Sequence, residues 1–353
     1  MAGPTARSPI PRRPIRGGRV FVIVVVTGAS AGVGRATVRA FAGAGWDVGL
    51  IARGAAGLEA AAGEVRAVGR RALVLPLDLA DADAVEAAAE RVEQELGPID
   101  VWINDAMESV FAPVSETKPD EYRRVTEVNY LGYVHGTLAA LRRMTPRDSG
   151  VIVQIGSALA YRSIPLQSAY CATKHAIVGF TDSLRCELIH DRSHVRVTVV
   201  HMPALNTPQF GWVRSRLPNR AQPVPPIFQP EVAARAILFA ATHPRRELFV
   251  GGPTLLAVWG QKFVPGRLDW YLGRTGYDAQ QTGDRQHDRA DNLDRPLDQL
   301  EDHGAHGHFD QRSHPWSPML ELSIHRRLVA VVAAAGLTVL VAMRLAAGQR
   351  DGR

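Results

Sequence analysis

Cysteine is nearly missing from this chain of 353 residues, which has only Cys171 and Cys186. Two thiols without a metal-ligand spacing provide neither a disulfide framework nor a metal centre, and a reducing compartment is the simplest setting. Cys171 reads as a small packing residue. Acid is missing from the first nineteen residues, where Arg7, Arg12, Arg13, Arg16 and Arg19 stand among prolines. Much of the net charge of +6 therefore sits in a basic leader over 1–18 that reads as disordered. That location, without any RNA- or DNA-binding motif, argues against a nucleic-acid partner. The apolar run after it is too short for a signal peptide and leads straight into a glycine loop. No internal repeat is visible. The "HGAHGH" cluster at 303–308 has no fixed ligand spacing, so no specific metal site is expected.

What is present is ordinary globular composition, 46% hydrophobic and 22% charged. Short apolar, β-branched runs alternate with helical patterns. "RVFVIVVV" (19–26), "WDVGLIAR" (46–53), "RALVLPLDL" (71–79), "IDVWINDA" (99–106), "GVIVQIGS" (150–157) and "VRVTVVHMP" (195–203) read as strands. Long helices are expected over 120–143 and 170–189. This alternation predicts an α/β fold: a doubly wound parallel sheet with helices on both faces, spanning 19–255. After about residue 255 the chain turns polar and turn-rich, and 256–325 reads as an extended or disordered arm. It ends in sixteen uncharged residues, 328–343. If Arg344 snorkels, a helix over 326–347 is long enough to span a bilayer. The expectation is a membrane anchor with the catalytic domain in the cytoplasm.

Two motifs carry chemistry. "TGASAGVG" (27–34) follows the first strand and opens a helix, and Gly28, Gly32 and Gly34 let the backbone turn and approach a pyrophosphate. In "SAYCATKHAI" (168–177), Tyr170 and Lys174 stand four residues apart on one helix face. A nearby ammonium favours the phenolate. The pair reads either as an ordinary amphipathic helix or as a tyrosine made a proton donor by its lysine.

Together the motifs resemble the short-chain dehydrogenase/reductase family over about 19–255. Ser157 stands thirteen residues before Tyr170, and Asn129 lies in "VNYLG". The resemblance implies a catalytic tetrad of Asn129, Ser157, Tyr170 and Lys174. Ser157 would hold the substrate oxygen, Tyr170 would transfer the proton, and Lys174 would steady the phenolate and the nicotinamide ribose. Asn129 would position a relay water. It also implies Asp78 on the adenine amino group. Thr27, Gly28, Ser30, Gly32, Val33, Gly34, Leu79, Asn104, Ala106, Pro203 and Thr207 would lie around the cofactor, with Tyr170 and Lys174.

The second strand ends in Ala52 and Arg53 with no carboxylate, which points to NADP(H) with Arg53 on the 2′-phosphate. The chain departs from the family pattern at Asp105 and Met107 (Asn and Gly in the family's N-N-A-G), at Ala204 after Pro203, and in the early position of Thr207. Phe210, Trp212, Leu217 and Phe228, among prolines, suggest a stiff apolar substrate pocket. The expected activity is an NADP(H)-dependent interconversion of a carbonyl and a secondary alcohol on a lipophilic small molecule, by a homo-oligomer. The alternatives are a non-catalytic NADP-binding sensor and an epimerase or dehydratase of the same fold.

Overall fold

A computed structural model of the chain describes residues 23–326. The basic leader and, but for Arg326, the membrane helix expected over 326–347 lie outside the described residues. Among the described residues no helix is long and apolar enough to cross a membrane.

The elements follow in chain order as β1 (Ile23–Thr27), α1 (Gly32–Gly43), β2 (Asp47–Ala52), α2 (Ala55–Ala67), β3 (Ala72–Pro76) and α3 (Ala82–Glu95). Then come β4 (Val101–Asn104), β5 (Val110–Phe111), α4 (Pro119–Thr126), α5 (Gly132–Met144), β6 (Val151–Ser157) and α6 (Ser168–His190). They continue with β7 (Arg196–Met202), α7 (Gln209–Trp212), β8 (Arg214–Ser215), β9 (Asn219–Ala221), β10 (Ile227–Phe228), α8 (Pro230–Thr242) and β11 (Glu247–Phe249). The last are α9 (Gly252–Phe263), α10 (Pro265–Thr275), β12 (Gln281–Arg285), β13 (Ser313–His314) and α11 (Pro318–Ile324).

Among the described residues a seven-stranded sheet runs in the order β11-β7-β6-β4-β1-β2-β3, parallel throughout. β1, "IVVVT", is buried along its whole length, as a strand covered on both faces must be. One core layer packs Val24, Val26, Phe41, Leu50, Leu58 and Ile237 on one side of the sheet. Another packs Val25, Ile51, Val92, Trp102, Ala140 and Ile152 on the other. The order reverses between β1 and β4. A crevice opens there at the carboxyl ends of the strands, where doubly wound sheets bind ligands.

α3 and α4 have side-chain contacts at their N-terminal ends. Asp81 caps α3 by accepting from the Ala84 N–H at 3.0 Å. Glu121 reaches back to the Lys118 N–H at 2.8 Å at the start of α4. α1, which points into the crevice, has Ala31 before it and no side-chain cap. The N–H of Gly32, its first residue, donates to the Gly304 carbonyl at 3.1 Å, and the rest of this end with its dipole faces the crevice, where an anion is favoured.

The long helix expected over 120–143 is broken. Residues Glu127–Leu131 form a π-helical turn between α4 and α5. One residue more per turn swings Asn129 inward, where it is fully buried.

The arm expected over 256–325 is folded against the rest of the described chain instead, in small two-stranded sheets apart from the main one. β12 pairs antiparallel with β9, and β13 runs parallel to β10. Asp291 and Asp294 bind Arg214 at 2.9 and 2.7 Å. Asp302 binds Arg35, itself only 2% exposed, at 3.2 Å. Leu293 is buried against Val110, Ala112, Val125 and Ala169, and Leu320 joins the main core. The histidines of "HGAHGH" point apart. His306 bonds to Asp310 and Glu231, while His303 meets the edge of Trp212.

Leu293→Ala tests this packing. It is expected to lower unfolding free energy by roughly 2–4 kcal/mol in urea titration. A loose arm would show no change.

Candidate active site

The glycine turn is shaped by close approach. Gly28 and Gly32 have φ of +70° and +57°, in the left-handed region that favours glycine. A Cβ on Gly34 would fall 2.0 Å from the Gly28 carbonyl oxygen. Only glycine lets α1 start this close to the turn before it. Thr27 is a brace beneath: its hydroxyl accepts from the N–H groups of Asp105 and Ala106 at 2.9 and 3.2 Å and donates to Ile103 O.

Above the turn lies a cavity of about 410 Å³. Of the residues expected around a cofactor, Gly28, Ser30, Gly32, Val33, Arg53, Asp78, Leu79, Ala106, Pro203 and Thr207 line it, together with Ser157, Tyr170 and Lys174. Thr27, Gly34 and Asn104 lie outside its lining. Asn104 is fully buried, accepts from Trp102 Nε1 at 2.8 Å and donates to Gln154 Oε1 at 2.9 Å. Asn129 is also outside the lining. Its Oδ1 accepts from the Glu108 N–H at 2.7 Å, and its Nδ2 donates to Glu108 O at 2.8 Å and Thr173 Oγ1 at 3.3 Å. It fixes the loop after β4 and makes no direct bond to Lys174.

Ser157 ends β6, where its Oγ accepts from the Leu159 N–H at 3.1 Å. Burial holds the Tyr170 phenol above the ordinary tyrosine range, against a downward pull from the Ser157 hydroxyl. The ammonium of Lys174 stands over the Tyr170 ring, 5.5 Å from its centroid. It donates to Ile155 O at 2.8 Å and Tyr133 Oη at 3.1 Å. Those bonds leave one of its three N–H donors for the cavity.

Lys174 is 2% exposed and Asp105 is 8% exposed. Burial lowers the lysine and raises the aspartic acid, while the opposite charge of each pulls the other back towards its ionised form. Asp105, which the sequence showed only as a departure, is thus the counter-charge of Lys174. Behind Ser157, burial pushes the His201 imidazole down to about 4, so it is neutral.

At the other end of the cavity, Arg53 donates to Leu293 O at 3.1 Å, to Asn292 O and to the Glu108 carboxylate. Burial pushes the Glu108 carboxyl up to about 8 against the pull of Arg53. Asp78 pairs with Arg124 at 2.6 Å. Burial raises its carboxyl, but the bonds from Arg124 and the Ala80 N–H lower it overall. Asn292 and Asp298, from the folded arm, complete this end. No motif marked Glu108, Asn292 or Asp298 in the sequence. On the substrate side Phe210 and Trp212 line the cavity, while Leu217 and Phe228 pack beneath it.

A crevice at the sheet's reversal, an uncapped helix behind a glycine turn, and a Ser–Tyr–Lys wall define a dinucleotide-binding α/β protein. The chain belongs to the short-chain dehydrogenase/reductase family, whose "short chain dehydrogenase" model matches residues 22–217. It is 32% identical over 261 residues to the uncharacterised oxidoreductase YxnA of Bacillus subtilis, covering 73% of each chain. It is 39% identical over 189 residues to dehydrogenase/reductase SDR family member 7B of Mus musculus, covering 52% of this chain and 58% of that one. Among solved structures it resembles an alcohol dehydrogenase from the archaeon Thermococcus sibiricus in complex with 5-hydroxy-NADP. That likeness has a TM-score of 0.56 and 27% identity, over 65% of this chain and 95% of that one.

Gly34→Ala tests the cradle. With a Cβ 2.0 Å from a backbone oxygen, α1 must shift. Nicotinamide dinucleotide binding, followed by intrinsic fluorescence, is expected to fall below detection, or the melting temperature to drop sharply.

Proposed function

We propose that this oxidoreductase interconverts a carbonyl and a secondary alcohol on a lipophilic small molecule, using a nicotinamide dinucleotide. The observation that carries the reading is that Ser157, Tyr170 and Lys174 form one wall of the same cavity into which the glycine turn opens. The residues fit the cofactor. The end of α1 has no side-chain cap, and although its Gly32 N–H is taken by the Gly304 carbonyl, the helix dipole there suits the pyrophosphate, with Lys174 near the opposite end for the nicotinamide ribose.

When bound, the dinucleotide supplies hydride to the carbonyl carbon, or accepts it from the alcohol carbon. Ser157 holds the substrate oxygen. Tyr170, kept protonated by its burial, gives its phenolic proton to that oxygen as the carbon–oxygen double bond becomes single. In the reverse direction the phenolate takes the proton back. The ammonium of Lys174 favours the phenolate left behind, and Asp105 helps keep that ammonium charged. Asn129 is a positioning residue that acts through the Glu108 backbone. Phe210 and Trp212, with Pro223, Val224 and Pro226, give the substrate an apolar enclosure.

The sequence expectation of NADP(H) rests on the lack of a carboxylate at the end of β2 and on Arg53, which lies in the cavity wall; the archaeal enzyme holds an NADP analogue. Arg53 has three hydrogen bonds committed elsewhere, so it does not alone decide between the two dinucleotides.

Two measurements test the reading. Dinucleotide oxidation against aldehydes and ketones of graded chain length should show turnover in the wild type. In Tyr170→Phe it should fall by roughly 10²–10⁴-fold, with dinucleotide affinity unchanged. Tight binding without turnover by the wild type would favour the sensor. Asp105→Asn removes the charge that keeps Lys174 protonated. The alkaline limb of its pH–rate profile is expected at lower pH than in the wild type. An unmoved limb would show that Asp105 does not act on Lys174.

A further inference from the structure

The adenosine end of the cavity holds a group that the proposed chemistry leaves without a task. Asp298 stands in a 3₁₀ turn, Leu297–Gln299, of the segment that returns across the sheet. It is 5% exposed and lines the cavity. Among the described residues its carboxylate has no hydrogen-bond or ion-pair partner. The carboxylate lines the cavity with no protein donor on it among the described residues, which leaves it available to a ligand there.

Its location is specific. A Cβ on Gly54 would fall 1.8 Å from Asp298 Oδ1, and one on Gly57 would fall 2.9 Å both from Asp298 Oδ2 and from Ser30 Cβ. The carboxylate therefore lies against the first turn of α2, beside the glycine turn and just past the end of β2. In a doubly wound sheet this is where the adenosine ribose is read. An acid there accepts from the ribose hydroxyls, and an arginine there accommodates a 2′-phosphate. β2 itself ends without an acid, and the returning segment brings one.

That segment is a fixed wall. Leu293 is 1% exposed, and its carbonyl accepts from Arg53 and from Arg124, each at 3.1 Å. Asp302 is bound to the buried Arg35. The carbonyl of Gly304 accepts from the Gly32 N–H of the glycine turn at 3.1 Å. Arg53 is turned onto this wall as its anchor, while Asp298 is left facing the cavity.

We propose that Asp298 is the residue that sets cofactor choice. Its carboxylate accepts hydrogen bonds from the hydroxyls of an unphosphorylated adenosine ribose and repels a 2′-phosphate. The chain then selects NAD(H) over NADP(H) in spite of Arg53. The proposal rests on the nicotinamide reading above and replaces the preference drawn from Arg53 alone.

The test is equilibrium binding rather than turnover. Affinities of the full chain for NADH and NADPH are measured near neutral pH at fixed ionic strength, from quenching of intrinsic fluorescence. The wild type is expected to bind NADH tighter by roughly tenfold or more. In Asp298→Asn the affinity for NADPH should rise by about tenfold relative to that for NADH. Asp269→Asn, which removes an exposed carboxylate away from the cavity, should leave the ratio within about twofold of wild type. Tighter NADPH binding by the wild type overturns the proposal without reference to any variant. So does an unchanged ratio in Asp298→Asn at an unchanged melting temperature. Should that variant fail to fold, Asp298→Ser and the wild-type ratio decide. Binding of neither dinucleotide overturns the nicotinamide reading itself, and the proposal with it, which separates that failure from a failure of selectivity.

Discussion

The contact on which the site depends is between two glycines. Gly34 opens α1 against the carbonyl of Gly28 at a distance that no side chain allows. This lets the helix begin immediately after β1, with its uncapped end facing the crevice. Thr27, one residue earlier, then lies deep enough to hold the N–H groups of Asp105 and Ala106. The loop after β4 is fixed in turn by Asn129 through Glu108. A single close approach thus sets the floor of the cavity and, through backbone hydrogen bonds, its side wall.

Upon that frame the cavity carries an acid and a base at each end. The Asp105 charge acts on Lys174 beside Tyr170, and Glu108 and Arg53 meet at the other end. A buried pair is weak evidence for stability, because desolvation consumes most of the attraction. Their value here is positional. In the first, burial lowers the Lys174 ammonium and the charge of Asp105 draws it back towards its charged form. The second ties an arginine that could serve a ligand to the protein's own returning segment.

Much of this was legible in the sequence where the signal is local. Continuous apolar runs at 23–27 and 151–157 became central strands. The glycine turn and the Tyr170–Lys174 spacing landed in one cavity with Ser157, Arg53 and Asp78. What was illegible depends on partners distant in the chain. Asn104 and Thr27 look like ligand residues in a motif, yet their side chains are saturated by buried neighbours. The π turn at 127–131 leaves no mark on a helical pattern. The segment after residue 255 is polar, which reads as disorder when its partners are unknown. In the structure its acids meet arginines already held by the sheet and helices, Asp302 on Arg35 and Asp291 on Arg214. Periodicity carries no information about such pairings.

The hydrogen bond from the Gly32 N–H to the Gly304 carbonyl, with the Arg35–Asp302 pair beside it, joins positions 267 residues apart in the latter case. During synthesis the strands and helices up to β7 can assemble while that partner segment does not yet exist. The cofactor pocket is therefore among the last parts of the molecule to be completed. A nascent or truncated chain ending near residue 290 would own Tyr170 and Lys174 but lack Asn292 and Asp298 from the cavity wall.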